Sequence, residues 1–444
     1  MGVETAYGWH AREGALERLL PPWSQIRVLE RPGPLTEGGR VVLEVPIGPV
    51  RVRWVLVYRG IVPGREFADE QVDGPFALWR HHHLFEALGP GRSSLRDRVE
   101  YLPPFGEAGA LLGGGYLSRE FERTFRYRHD VTTADLLSHE RFTGRPRRTV
   151  AISGASGLIG TQLGAFLRSG GHTIRPLVRR IASAGEIAWD PSAGRVDLAA
   201  MEGVDAVVHL AGESIAGGRW TAERKRRILD SRVRGTRLVS QAMAGQRERP
   251  EVLITASGVG IYGDRGDELL DEDSAIEDGF LGEVGREWEA AAAPAVEAGI
   301  RVVHLRFGIV LSPAGGALAQ MLPPFLLGAG GPIGSGRQWV SWISIDDAVD
   351  VLHEALFETR LAGPVNAMAP EPVQSREFAA TLGRVLHRPA LVPAPAFALR
   401  LLLGDLADEA LLASQRAVPA RLQRLGFRFR HPTLERAFRH VLGR

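Results

Sequence analysis

The chain has 444 residues, 44% hydrophobic and 24% charged, a soluble globular composition long enough for about three folding units. It contains no cysteine, which excludes disulfides, thiolate nucleophiles, iron–sulfur clusters and cysteine-ligated zinc and fits a cytoplasmic protein. Its 54 basic and 52 acidic residues leave a net charge of +2 and are interspersed, so no basic stripe for a nucleic acid is expected. No run of 18 apolar residues occurs and residues 1–10 lack a charged-then-apolar leader, so neither a spanning helix nor a secretory signal is expected.

In chain order, an amphipathic stretch over residues 9–20 stops at Pro21-Pro22. Apolar residues then recur every second position over 51–58 and 94–101, the pattern of half-buried antiparallel strands. The period changes at Leu117, Phe121 and Phe125, four apart, which makes one helical stripe. An antiparallel sheet closed over by a long helix satisfies that pattern. Within it, His81-His82-His83 puts two imidazoles on one strand face. Two imidazoles with no evident carboxylate fall short of the three or four protein ligands that zinc takes, so no metal site is expected.

A basic linker at 143–148 leads into short apolar runs at 149–153, 204–210, 252–256 and 300–307, separated by helical patterns. Such alternation implies a doubly wound α/β sheet of the Rossmann type. Gly154-Ala155-Ser156-Gly157-Leu158-Ile159-Gly160 follows the first run and opens a helix. Gly154 permits a tight turn, Gly157 lets backbone approach a pyrophosphate and Gly160 lets helix and strand pack closely. Around them Ser156, Leu158 and Ile159 bring the helix N-terminus to the phosphates. The next strand, 173–178, ends in Arg179-Arg180 with no carboxylate before Glu186. Arginine there suits a 2′-phosphate, so the expected cofactor is NADP(H). Beyond about residue 393 the chain is rich in Leu, Ala and Arg and reads as helical.

The Gly-x-x-Gly-x-x-Gly loop, His209-Leu210-Ala211-Gly212, Thr255-Ala256-Ser257 and Val259-Gly260-Ile261-Tyr262-Gly263 resemble the extended short-chain dehydrogenase/reductase superfamily. Trp220, Lys225, Ser231-Arg232, Gly235-Thr236, the run 330–338 and Trp342-Ile343-Ser344-Ile345-Asp346-Asp347 look like its "epimerase family", a cell-division-inhibitor-like subgroup with a small C-terminal domain. That resemblance covers about 148–444 and adds Leu210, Ala211 and Gly212 to the cofactor contacts. Trp9-His10, Pro21-Pro22-Trp23 and Gly74-Pro75-Phe76 are similar to the polyketide-cyclase/START-like (SRPBCC) superfamily, in which a curved sheet grips a long helix around an apolar cavity. The implied division is 1–145 START-like, 148–392 NADP-binding and 393–444 small helical, with an apolar ligand for the first part and a small-molecule substrate for the second.

The superfamily's tyrosine and the lysine four residues on are absent. Aligning the stretch after Tyr262 puts Leu281 and Gly285 at those positions, with Glu289 beyond them and Gly258 near the usual serine. Tyr262 is the only tyrosine after Tyr127, and Lys225 is the only lysine. Glu213, Ser257 and Tyr262, just past strand ends, are therefore the candidates for proton transfer, and Arg306 or Arg337 for an anionic substrate. The two readings are an NADP(H)-dependent oxidoreductase or epimerase-like enzyme, and a non-catalytic NADP(H)-binding sensor or scaffold. Substrate and oligomeric state stay open.

Overall fold

The computed structural model describes residues 1–30, 33–104 and 106–444, with backbone alone for 107–113. The chain forms two compact units, one of Met1–Arg145 with Ala165–His172 and Gly443, the other of Pro146–Gly164, Thr173–Leu442 and Arg444. Among the described residues no helix is long and apolar enough to cross a membrane.

In the first unit the N-terminal stretch is two helices, α1 (Val3–Ala11) and α2 (Ala15–Leu19), where the sequence suggested one. α1 ends where Arg12 turns extended, and Gly14, at φ +92°, is the residue from which α2 starts. Six strands follow as an antiparallel meander: β1 (Arg27–Glu30), β2 (Arg40–Ile47), β3 (Val50–Val62), β4 (Glu66–Asp73), β5 (Leu78–Gly89) and β6 (Arg92–Leu102). The 35-residue helix α3 (Gly106–Glu140) comes next. Its predicted stripe meets the sheet: Phe121 packs edge-on against Trp79 and Tyr101, and Phe125 against His81. Aromatic side chains thus fill much of the space between helix and sheet. A cavity of about 290 Å³ lies beside α1 and α2, lined among others by His10, Arg12, Glu13, Glu17, Leu35 and Tyr58, which mixes charged and apolar groups. Burial drives His10 down to about 3, so its imidazole is neutral.

The second unit is built on an eight-stranded sheet. Its elements are β7 (Thr149–Ser153), α4 (Leu158–Ser169), β8 (Thr173–Val178), β9 (Ile187–Asp190), β10 (Arg195–Val196), β11 (Ala206–His209), α5 (Ala222–Ala244), β12 (Val252–Gly258), the short β13 (Leu269–Leu270), α6 (Phe280–Ala290) and β14 (Arg301–Phe307). The sheet order is β10-β9-β8-β7-β11-β12-β14, completed by Gly363–Ala367. All neighbours are parallel except β9 and β10. The central strands are buried on both faces, with β11 wholly enclosed, as their unbroken apolar runs require. The strand order reverses between β7 and β11, the position where such sheets open a crevice at their carboxyl ends.

The C-terminal region belongs to this same unit. Arg416–Ala417 pairs in parallel with β13, and the helix Leu434–Leu442 buries Ala437, Phe438 and Val441 in a cluster with Trp342 and Phe378. The run 328–336 is a close-packing segment. A Cβ on Gly331 would stand 2.2 Å from the Val392 carbonyl oxygen, and one on Gly330 2.4 Å from the Phe325 ring.

Candidate functional site

The loop between β7 and α4 has the geometry its glycine spacing predicts. Gly154 lies at φ +70°, and a Cβ there would press on the Leu210–Ala211 backbone at 3.0 Å. A Cβ on Gly160 would stand 2.2 Å from the Gly154 carbonyl oxygen, so only glycine lets the helix start this close to its strand. The Gly157 amide turns back to the Gly154 carbonyl at 2.9 Å, and Ser156 and Gly157 are exposed at the tip. Leu158, Ile159 and Gly160 form the first turn of α4, whose amides have no intrahelical acceptors. Across the crevice the Leu210 and Ala211 amides donate to the carbonyl and Oγ of Ser153, at 3.2 Å each. Gly212 follows, exposed, with a Cβ there meeting the Arg232 guanidinium at 3.3 Å. Ser153 Oγ also shares a 2.6 Å hydrogen bond with His209 Nδ1. Burial pushes His209 down to about 4, so this pair is neutral.

Arg179 and Arg180 stand exposed just past β8, with different tasks. Arg180 is gripped in a fork by Glu186, at 2.8 and 2.6 Å. The Arg179 guanidinium has no hydrogen bond or ion pair among the described residues.

A second constellation closes the carboxyl ends of the strands beyond β11. Register places Ser257 beside Arg306 and Arg306 beside Asn366 on three adjacent strands. Glu289, on α6, takes Arg306 Nε and Nη2 at 2.9 Å each and the Ser257 hydroxyl at 3.0 Å. Arg306 Nη1 donates to the Tyr262 hydroxyl at 2.9 Å, and that hydroxyl donates to Asn366 Oδ1 at 2.7 Å. The buried Glu272 accepts the Asn366 amide at 3.1 Å. Tyr262 is fully buried and Arg306 is 3% exposed. Burial raises the Tyr262 phenol above its ordinary value, opposed by the Arg306 cation beside it. Arg306 is therefore committed internally, a correction to its expected role toward an anionic substrate; Arg337 is exposed.

Of the three proton-transfer candidates, Ser257 and Tyr262 thus sit in one network and Glu213 does not. Glu213 follows β11, its amide donating to Ser231 Oγ at 3.0 Å and its carbonyl accepting from Arg232 at 2.9 Å. Its carboxylate makes no hydrogen bond or ion pair among the described residues. The positions of the missing tyrosine and lysine have a steric explanation. A Cβ on Gly285 would lie 2.6 Å from Ile261, and the Leu281 side chain packs against Gly260, so α6 rides directly on the turn 259–262. Sequence reasoning did not identify Asn366 or Glu272, which carry no local motif. Asp347 is buried at the start of the helix Ile345–Phe357, and burial raises its carboxyl to about 6.

In the first unit, the expectation that His81 and His83 lack a carboxylate is corrected. Asp69 stands opposite His81 and Asp97 opposite His83 in the sheet register. His81 lies 3.1 Å from Asp69 and 2.9 Å from Asp97.

The NAD dependent epimerase/dehydratase family matches residues 150–366, and a domain of unknown function matches 394–441. An epimerase family protein of Mycobacterium bovis, Mb2239, is 44% identical over 296 residues, 66% of this chain and 98% of that protein. The crystal structure of human epimerase family protein SDR39U1 (isoform 2) with NADPH is 34% identical, with a TM-score of 0.62, covering 66% of this chain and 99% of that one. A nucleoside-diphosphate sugar epimerase from Corynebacterium glutamicum is 33% identical, with a TM-score of 0.82, covering 100% of this chain and 88% of that one.

Proposed function

This chain belongs to the NAD-dependent epimerase/dehydratase family, and we propose that it binds NADP(H) and uses it in oxidoreduction or epimerisation of a small molecule. The observation that carries the cofactor choice is the unengaged Arg179 guanidinium past β8, beside an Arg180 already held by Glu186. The NADPH in the human relative's structure supports the same reading. Gly154, Ser156, Gly157, Leu158, Ile159 and Gly160 would hold the pyrophosphate, Arg179 with Arg180 the 2′-phosphate, and Leu210, Ala211 and Gly212 the opposite wall. The cradle fits, because Cβ atoms at Gly154 and Gly160 would close it.

The bound nicotinamide supplies hydride chemistry; the protein must move a proton without the superfamily's tyrosine–lysine pair. Glu213 is the foremost candidate, since its carboxylate makes no hydrogen bond among the described residues and only its charge meets Arg232, with Ser257 and Tyr262 behind it. The second reading, a non-catalytic NADP(H) sensor or scaffold, is favoured by the saturation of Tyr262, Arg306 and Glu289 by one another. Incubating the protein with NADPH and a panel of small carbonyl compounds separates them. The enzyme reading expects nicotinamide oxidation that Glu213→Gln slows by about 10²-fold or more with NADPH affinity unchanged. Absence of turnover across the panel favours the sensor.

The same reading assigns 1–145 to a START-like helix-grip module, 148–392 to cofactor binding and 393–444 to a small helical domain. It places the protein in the cytoplasm without a nucleic-acid partner.

A further inference from the structure

We propose that the sheet of the first unit carries a mononuclear site for a divalent first-row cation of the zinc class, with Asp69 Oδ1, His81 Nδ1 and His83 Nε2 as ligands. The sheet register builds it. Asp69 on β4 faces His81 on β5, and His83, two residues on, shares that face. Asp69 Oδ1 lies 3.1 Å from His81 Nδ1 and 3.4 Å from His83 Nε2, and all three donor atoms fall within 4.8 Å of one another. Ligand atoms about 3.3 Å apart are what bonds of about 2.0–2.1 Å in a tetrahedron require. Two imidazoles and a carboxylate form an N,N,O set suited to such a cation, and they leave a fourth position for water.

The surroundings are arranged as a ligand set needs. Ligating histidines characteristically give their other ring nitrogen to a carboxylate. Here Asp97 Oδ1, from β6, stands 2.9 Å from His81 Nε2 and 3.0 Å from His83 Nδ1. Asp97 is held in turn by His129 at 2.7 Å, and the Trp79 indole N–H donates to Asp69 Oδ2 at 3.0 Å, which leaves Oδ1 toward the rings. A second observation points to a missing partner. His81 and His83 are 1% and 6% exposed, so all four ring nitrogens face carboxylate oxygens in a buried setting. His83 Nδ1 makes no aligned hydrogen bond even so. A cation bound by the Asp69 side satisfies both inner nitrogens and frees both outer N–H groups for Asp97.

The test uses the full chain, stripped with a chelator and titrated with Co²⁺ and then Zn²⁺ alone. The proposal expects one equivalent of Co²⁺ to give the visible absorption of a four-coordinate ion, displaced by one equivalent of Zn²⁺. His81→Gln and His83→Gln abolish that signal. Asp97→Asn, which touches no metal and is the safer variant for folding, weakens affinity by about 10–100-fold at unchanged stoichiometry. His440→Gln, in the separate Asp346–His431–His440 group, leaves the signal intact. Absence of a one-equivalent signal in the parent chain, or an affinity untouched by Asp97→Asn, overturns the proposal.

Discussion

Replacing Glu289 by leucine removes the carboxylate that accepts two hydrogen bonds from Arg306 and one from Ser257, all between 2.9 and 3.0 Å. The guanidinium left behind is 3% exposed and keeps only the Tyr262 hydroxyl and the Glu272 carbonyl. Breaking a buried pair on one side costs about 3–5 kcal/mol, because an uncompensated charge remains. The Glu289 side chain is 13% exposed, so the lower end, about 3 kcal/mol, applies. For a unit of this size that corresponds to a fall in melting temperature of roughly 6 °C. The double replacement Glu289→Leu with Arg306→Met removes both charges and is expected within about 1 kcal/mol of the parent. Urea unfolding followed by circular dichroism measures all three proteins. A single-variant cost below about 1 kcal/mol, as for a solvated surface pair, would refute the claim that this network is a closed structural lock.

Gly160→Ala pushes a methyl to 2.2 Å from the Gly154 carbonyl oxygen. It is expected to cost about 1–3 kcal/mol of stability by overpacking and to raise the NADPH dissociation constant; parent-like melting and binding would show that the loop has slack. His209 titrates near 4 when folded against about 6.5 unfolded, so the folded state binds fewer protons between those values. Its contribution is complete above about pH 6.5 and is lost as pH falls toward 4, by up to about 1.4 kcal/mol per pH unit. His209→Gln should therefore flatten the acid side of the stability profile by about 2 kcal/mol at pH 5, read from urea midpoints; an unchanged slope would mean His209 is solvated.

The phosphate loop was legible because each of its glycines answers to atoms close in sequence or on the next strand end: Gly160 to Gly154, Gly154 to Ala211. The doubly wound sheet was legible because strands buried on both faces, such as 206–209, are written as unbroken apolar runs. The Ser257–Glu289–Arg306–Asn366 group was not, since strand register and the seat of α6 bring together residues up to 109 positions apart. An acid on the helix after Tyr262 and an arginine inside a mostly buried strand were its only traces. Asp69 and Asp97 were missed beside His81 and His83 because hairpin register, not motif, pairs them. The signal was present in the spacing: carboxylates 12 positions before His81 and 14 after His83, on strands joined by tight turns. The split of the N-terminal helix turns on the extended Arg12 and the left-handed Gly14, conformations that periodicity does not encode.

Calorimetric titration of the parent chain and Arg179→Ser with NADPH and with NADH tests the cofactor assignment. NADPH is expected to bind at least about tenfold tighter than NADH. Arg179→Ser should weaken NADPH by about 10–150-fold, the loss of one charge-assisted hydrogen bond of about 1.5–3 kcal/mol, and leave NADH unchanged. Equal affinities for the two nucleotides, or a substitution that weakens both alike, would contradict it.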